Sequence, residues 1–477
     1  MTAEIACEVC VLGGGPAGSI LAWRLSELGY DTLLVDRTGT NDRPRAESLA
    51  PSILPILDSL RLRDTVEAAV FRREKRALLR WGTNDVQVKD FDEAPALLVE
   101  RTRLDDLLRK AAASAGARPV MSATARAPQC RQRGGWLVPV ATSAGPVVIA
   151  TKFLADARGR RPRSSVDDGA PRTAALAASF APSDRAFTET RIEAGIDEWF
   201  WGSPLPDGRY AASIFLDAGR VAGLRGHVRM ELFRRLLSRS KLLADLLRGE
   251  LVGPISVRDA TPRIGNDPIG HDFIRVGEAA VAIDPLSSQG IQAALLSSIQ
   301  GSAAVHTILT AGCDPAPALE FYRERQQATA ARSRQTAAGF YRAYHDQSPF
   351  WTRRSSPAEN RAAEAEHRAN TSPPSKLRIS QALRITEVPV LSGALIRRTP
   401  ALCHPRLKQP TAYLGGVALA PLVDEARDTS AADQILSRWT RRMPLETAQK
   451  IMSWMWAVGI LDPLPDASRD HATSARR

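Results

Sequence analysis

Gly13, Gly15 and Gly18 are spaced as Gly-x-Gly-x-x-Gly, the pattern that lets a backbone wrap a pyrophosphate. An apolar run beginning at residue 5 enters this turn, and a helix pattern from Pro16 to Gly29 leaves it. Gly13 permits the tight turn, Gly15 lets the phosphates approach the backbone, and Gly18 lets helix and strand pack closely. Ala17 lies in the first helical turn, whose free N–H groups and partial positive charge face the anion. A second apolar run, Thr32 to Val35, ends on Asp36 and Arg37. Asp36 sits where a carboxylate accepts from a ribose hydroxyl. Strand, turn, helix and acid in register point to a bound dinucleotide.

The elements that must hold this site belong to a large chain. Its 477 residues are enough for two or three domains, and 44% apolar content excludes a largely disordered protein. No run is long and apolar enough to span a membrane, and the first strand begins too near the initiator for a signal peptide. Five scattered cysteines fit a reducing cytoplasm. Cys7 and Cys10 form a C-x-x-C inside the first strand, with no second pair to complete a zinc site, and the seven histidines form no metal-ligand cluster. The net charge of +12 reflects either an arginine-rich composition or an anionic partner or cofactor; no nucleic-acid module is visible.

Residues 1–40 read as β-α-β, residues 46–70 as helical, and residues 76–90 as strands around Trp81. A short strand at 97–101 enters an amphipathic helix from Leu104 to Ala115, with Leu104, Leu107, Leu108 and Ala111 on one face. Strands follow over 117–155, and residues 175–235 are strand-rich. A basic helix pair spans 228–250, a buried strand 273–283, and helices 291–310, 316–347 and 357–370. Near the C-terminus two short strands turn at Gly415-Gly416, followed by helical patches at 430–441, 445–456 and 457–461. Two readings of this region stand: a winged-helix-like peptide-recognition module, or a helical tail packed on the main domain.

The run Gly277-Glu278-Ala279-Ala280 through Asp284-Pro285-Leu286-Ser287-Ser288-Gln289-Gly290-Ile291 resembles the FAD-dependent aromatic hydroxylases and flavin-dependent halogenases. In that family a Gly-Asp-Ala-Ala turn lies beside the flavin ribityl chain; here Glu278 replaces the aspartate. The resemblance implies that Ser288, Gln289, Gly290 and Ile291 aim backbone N–H groups at the flavin ring. It also assigns Arg101, in Glu100-Arg101-Thr102-Arg103-Leu104-Asp105, to the pyrophosphate or adenosine. Asp156, in Asp156-Ala157-Arg158-Gly159, matches the family's Asp-Gly element with two residues inserted. Arg45 and Glu47 fall where the family's loop crosses the flavin, and Glu47 is a candidate to orient the ring or relay a proton.

The fold that follows is α/β. A glutathione-reductase-type FAD-binding Rossmann domain comprises residues 1–70, 95–170 and 265–315, and a β-sheet substrate domain comprises 71–94 and 171–264. A helical region is expected over 316–395, a small C-terminal domain over 396–464, and a disordered tail over 465–477. On the substrate side, Glu198-Trp199-Phe200-Trp201-Gly202-Ser203-Pro204 resembles the halogenase Trp-x-Trp-x-Ile-Pro, with Ser203 in place of isoleucine. Trp199 and Trp201, at period two, share one face of a strand; they are either a sheet-core pair or, with Trp81, a wall around the reaction. Lys75 stands near the lysine that handles hypohalous acid in halogenases, but in a basic run whose ordinary role is a solvated face.

Among these flavoproteins the sequence is most similar to those that accompany tryptophylquinone enzymes, the maturation factors of quinohaemoprotein amine dehydrogenase and of the lysine oxidase group. The resemblance implies a monooxygenase that hydroxylates a tryptophan of a partner polypeptide through a flavin C4a-hydroperoxide. It would use FAD, molecular oxygen, and electrons from NAD(P)H or a separately reduced flavin, and a further maturation enzyme is a candidate partner. The alternatives are a halogenase or hydroxylase of a small or carrier-bound aromatic, an oxygen-independent FAD reductase, and a non-enzymatic flavin-holding adaptor.

Overall fold

The computed structural model describes residues 3–37, 45–83, 85–91, 95–132, 134–160, 170–181, 187–344, 348–355, 372–407 and 409–464. The expected helix at 357–370 and the expected tail at 465–477 lie outside the described residues. By internal contacts the chain divides into two units, one of residues 1–315 and 319–358, the other of 316–318 and 359–477.

The first unit is built on a mostly parallel sheet. Strand Ala3–Leu12 lies between Gly145–Asp156 and Thr32–Val35, and Arg118–Val120 extends the sheet beyond Thr32–Val35. The other side of Gly145–Asp156 takes antiparallel Trp136–Thr142 and, at its end, parallel Phe273–Arg275. Val9 to Leu12 are fully buried, as expected of a strand covered on both faces. Helix Pro16–Glu27 packs against helix Gly290–Leu309 through small residues, and the Ser298 hydroxyl donates to the Ala17 carbonyl at 2.7 Å. The carboxyl ends of Ala3–Leu12 and Gly145–Asp156 therefore meet the starts of both helices, where ligands bind in open α/β sheets.

A three-stranded sheet, Ala46–Leu49, Ala96–Glu100 and Val70–Glu74, flanks this core. Residues 46–49 are thus a strand where helix was predicted: Ala46 to Leu49 pair with Glu100 to Leu97, and Leu49 is buried among the neighbouring helices. Helices Leu54–Ser59 and Arg63–Glu67 follow.

The second sheet has seven strands, in the order Leu251–Asp259, Thr173–Phe180, Tyr210–Asp217, Glu198–Pro204, Thr190–Ala194, Arg76–Arg80 and Gln87–Asp90. Phe180, Phe200 and Ile214 face helix Gly226–Leu237 on one side. The opposite face joins Trp199 and Phe215 to Tyr341, Phe350 and Trp351. The expected strand at 273–283 is broken in two by Gly277, whose φ of +60° turns the chain.

In the second unit, antiparallel strands Arg384–Ser392 and Leu395–Cys403 occupy part of the region expected to be helical over 316–395. Strands Tyr413–Leu414 and Val417–Ala418 turn at Gly415-Gly416, and helices Leu419–Ala426, Ala432–Trp439 and Leu445–Ala457 follow. Trp439 is fully buried at their centre and donates to the Leu422 carbonyl at 3.1 Å. The expected helical patch at 457–461 instead ends at Gly459, with φ +76°, and Leu461–Pro463 pairs with Leu377–Ile379. No helix among the described residues is long and apolar enough to cross a membrane.

Candidate functional site

The glycine turn has the shape a pyrophosphate requires. Gly13 has φ +107°, and a Cβ there would stand 2.6 Å from the Ala157 carbonyl oxygen. A Cβ on Gly18 would stand 1.8 Å from the Gly13 oxygen. At Gly15 the nearest atom to such a Cβ is Nη2 of Arg101, at 3.8 Å, so the turn is open toward a guanidinium. Helix Pro16–Glu27 begins with Gly15 at its cap and has no side-chain cap, leaving its first N–H groups for an anion. An FAD pyrophosphate fits this cradle.

Arg101, at the start of helix Arg101–Ser114, donates to Glu47 at 3.0 Å and to Asp105 at 2.9 Å. Burial opposes its charge, but the two carboxylates outweigh burial and hold the guanidinium above its usual range. Arg45 enters through its backbone carbonyl, which accepts from the Arg101 N–H at 2.9 Å. Arg109, not singled out in the sequence, donates to Asp36 at 3.4 Å and to the Gly14 carbonyl at 3.3 Å. It lies two helical turns beyond Arg101, the spacing that could have marked it. Arg37 is exposed.

Asp156 ends its strand opposite Leu12 and is clamped by Arg158, at 2.8 and 2.6 Å. Burial pushes Asp156 up, but the Arg158 bonds and charge outweigh it and the net shift is downward. Gly277 lies over the dinucleotide helix: a Cβ there would come within 2.6 Å of the Ala17 Cβ. Its N–H donates to the Ser297 hydroxyl at 2.8 Å. Glu278 accepts from Arg160 at 2.7 Å, and Arg160 also donates to the Thr261 and Ile283 carbonyls. Arg160 was not legible as a site residue, because its three partners lie 101 to 123 positions away.

The Asp284–Ile291 turn is locally determined. The Asp284 carboxylate accepts from the Leu286 N–H at 2.9 Å, and Ser288 adopts the left-handed region with φ +50°. Gln289 then caps helix Gly290–Leu309 without a side-chain bond, so the N–H groups around Gly290 and Ile291 remain available to an acceptor. Asp284 is nearly inaccessible, and the Tyr341 hydroxyl donates to it at 3.1 Å. Burial raises the Asp284 pKa against these two bonds and the nearby charges of Arg354 and Arg160. Tyr341→Phe is expected to lower stability by about 1–3 kcal/mol, the cost of leaving a buried acceptor without its partner. Urea unfolding of the variant checks this; an unchanged midpoint would mean that Tyr341 does not support the turn.

Trp199 and Trp201 join one aromatic cluster with Trp81, Tyr344 and Leu286 of the turn. Trp199 stacks on Phe215 with ring centroids 3.7 Å apart, and Trp81 meets Trp199 at 6.4 Å and Trp351 at 5.4 Å. Trp199 Nε1 is buried and closes no hydrogen bond. Lys75 is exposed at the bend between Val70–Glu74 and Arg76–Arg80, whereas Glu74 beside it is buried and accepts from the Thr190 N–H. The geometry thus gathers a dinucleotide cradle, an N–H-lined turn and an aromatic wall, and leaves Lys75 outside the aromatic cluster. Among the described residues no group of three His, Cys, Asp or Glu side chains is placed to hold a metal.

Comparison with known proteins places these features. Residues 6–159 match the FAD binding domain family. The chain is 27% identical over 369 residues to tryptophan 2-halogenase of Chondromyces crocatus, covering 72% of this chain and 70% of that protein. It is 24% identical over 382 residues to the flavin-dependent halogenase armH3 of Armillaria mellea, covering 71% and 75%. Among solved structures, the peptidyl tryptophan dihydroxylase QhpG, essential for tryptophylquinone cofactor biogenesis, superposes with a TM-score of 0.75 at 25% identity. That match covers 95% of this chain and 99% of QhpG. The flavin-dependent halogenase CmlS shares the fold at a TM-score of 0.76 and 20% identity, over 98% and 96%.

Proposed function

The chain belongs to the superfamily of FAD-dependent aromatic monooxygenases and flavin-dependent halogenases, and from that premise we propose that it hydroxylates a tryptophan side chain of a partner polypeptide during tryptophylquinone biogenesis. The observation that carries this reading is the likeness to peptidyl tryptophan dihydroxylase QhpG over 95% of the chain, far beyond the FAD-binding residues. Bound and reduced, FAD supplies activated oxygen from O2, with electrons from NAD(P)H or a separate reductase. The protein's own residues do the rest. Gly13, Gly15, Gly18 and Arg101 hold the pyrophosphate, Asp36 the ribose, and Glu278 the ribityl side. The N–H groups at Ser288–Ile291 stabilise negative charge on the ring. Glu47 and Asp105 fix the Arg101 guanidinium, so Glu47 acts first as its positioning partner. Trp81, Trp199 and Trp201 exclude water from the reacting indole. All five cysteines are free, which suits a reducing cytoplasm.

The test is mass spectrometry of a tryptophylquinone-enzyme subunit incubated with the FAD-loaded protein, reductant and oxygen. Oxygen added to one tryptophan, and absent under anaerobiosis, is the expected result; an unmodified subunit with peroxide released would overturn the protein-substrate reading.

The second reading, a halogenase of a small or carrier-bound aromatic, draws on the halogenase relatives. Lys75→Ala separates the two. A halogenase that depends on Lys75 should lose about 100-fold or more of its bromide incorporation, the lower range for a positioned acid–base group. A hydroxylase should retain hydroxylation within about twofold, because the lysine is exposed in a basic run.

A further inference from the structure

Asp284 is a buried carboxylate with no direct countercharge. It is 5% exposed, and its two oxygens are held by neutral donors, the Leu286 N–H at 2.9 Å and the Tyr341 hydroxyl at 3.1 Å. Burial and the adjoining Asp284 charge push the Tyr341 hydroxyl up, so it keeps its proton and serves as a donor. The surrounding cations are each committed to another acid. Arg354 pairs with Asp217 at 2.8 Å, Arg160 with Glu278 at 2.7 Å, and Arg263 with Asp259. Arg353, also paired with Asp217, and Arg334 of helix Ala316–Ala343 complete the charged groups on this side. Among the described residues none of these cations forms an ion pair with Asp284; Arg354 and Arg160 act on it only as a field.

A buried carboxylate held by neutral donors is poised to bind a proton when further negative charge arrives. Two observations give Asp284 that role. It opens the turn that runs into Ser288–Ile291, where the N–H groups around Gly290 and Ile291 stand free of a side-chain cap. It also lines a cavity of about 240 Å³ bounded by Ala330, Ala337 and Tyr341 of the long helix, which gives the carboxyl a route to water.

We propose that Asp284 takes up one proton when the bound flavin is reduced, with Tyr341 positioning the carboxyl and the cavity delivering the proton. The electrons come from NAD(P)H or a separate reductase and the proton from solvent, so one O–H bond forms at the carboxylate and Asp284 is itself neither oxidised nor reduced. The uptake offsets the negative charge that two electrons bring to the ring, in the same sense as the N–H groups of the turn. The proposal rests on that turn facing the flavin and holds whatever aromatic substrate the enzyme takes.

The experiment measures the flavin midpoint potential of the full-length, FAD-loaded protein against reference dyes, from about pH 4.5 to about pH 8.5. Reduced flavin raises the Asp284 pKa, so a window opens between the oxidised-state and reduced-state values. Inside it the wild type should take up one more proton per two electrons than Asp284→Asn, a slope steeper by about 30 mV per pH unit. The two potentials should meet in acid, where Asp284 is protonated in both states, and separate toward alkali, with the wild type lower. Tyr341→Phe removes a donor to the carboxylate and should move the window to higher pH without abolishing it, a result that loss of packing alone would not give. Should Asp284→Asn not load FAD, the displaced window in Tyr341→Phe decides. Parallel potentials for wild type and Asp284→Asn across the range, or a window unmoved in Tyr341→Phe, overturn the proposal. Oxygen transfer to tryptophan is scored separately, so neither result is confused with failure of the proposed function.

Discussion

Gly18→Ala is expected to cost at least about 100-fold in FAD affinity, or about 2.8 kcal/mol. The new Cβ would sit 1.8 Å from the Gly13 oxygen and 2.9 Å from the Ala157 Cβ, so neither the turn nor the helix can keep its position. Retreat of the helix would draw Ala17 away from Gly277 and from Ser298, whose hydroxyl holds the Ala17 carbonyl. The lesion therefore reaches the ribityl side of the site as well as the pyrophosphate side. Fluorescence titration of apoprotein with FAD measures the loss. Affinity within about threefold of wild type would show that the turn does not carry the dinucleotide. Gly219→Ala is the matched control, because Gly219 lies outside the dinucleotide site and a Cβ there meets nothing within 4 Å.

The glycine turn was legible because its chemistry is local: three glycines, a helix start and an acid within 24 residues. The Asp284–Ile291 turn was legible for the same reason, since Asp284 closes its own loop on Leu286. The partners that complete the site were not. Tyr341 reaches Asp284 across 57 positions, Ser298 reaches Ala17 across 281, and Arg160 reaches Glu278 across 118. No periodicity encodes such contacts; they exist only once two sheets and two long helices are assembled.

The same reasoning explains the misread elements. Ala46–Leu49 carries apolar residues at helix-compatible spacing and becomes a strand by pairing with Leu97 to Glu100. The hairpin of Arg384–Ser392 and Leu395–Cys403 carries Pro389, Pro400, Arg397 and Arg398, so it lacks a clear alternating apolar face. The tryptophans were legible in part. Period two placed Trp199 and Trp201 on one face, but Trp351, which meets Trp81 edge-on, comes from a different element 150 residues away from Trp201. Core and wall were offered as alternatives for this pair, and the structure packs Trp199 into the core of the sheet face. Trp199 is buried within a cluster that also includes Leu286 of the Asp284–Ile291 turn. Rigid packing of this kind is what a positioned aromatic surface requires.

Arg101→Met separates two roles of one guanidinium. Removing it strands Glu47 and Asp105 beside each other's field. Breaking a buried pair costs about 3–5 kcal/mol, and exposure of the Glu47 side chain reduces the expectation here to about 2–3 kcal/mol at pH 7.5. Burial already raises the Asp105 pKa, against the lowering effect of Arg101. Without Arg101 that opposition is gone and the carboxyl moves further up. A carboxyl with a raised folded-state pKa binds its proton more tightly in the native state than in the unfolded state. Its contribution to stability is therefore complete below the unfolded value near 3.8 and is lost as pH rises through the folded value. Acidification from pH 7.5 toward 5 should then narrow the stability gap between variant and wild type, as thermal unfolding across that range will read. FAD affinity should behave differently. Protonating Asp105 removes a repulsion but returns no positive charge to the pyrophosphate, so the affinity deficit should persist in acid. If affinity and stability recover together, Arg101 serves only to organise the Glu47–Asp105 pair, and the pyrophosphate is held by the glycine turn and the helix N-terminus alone.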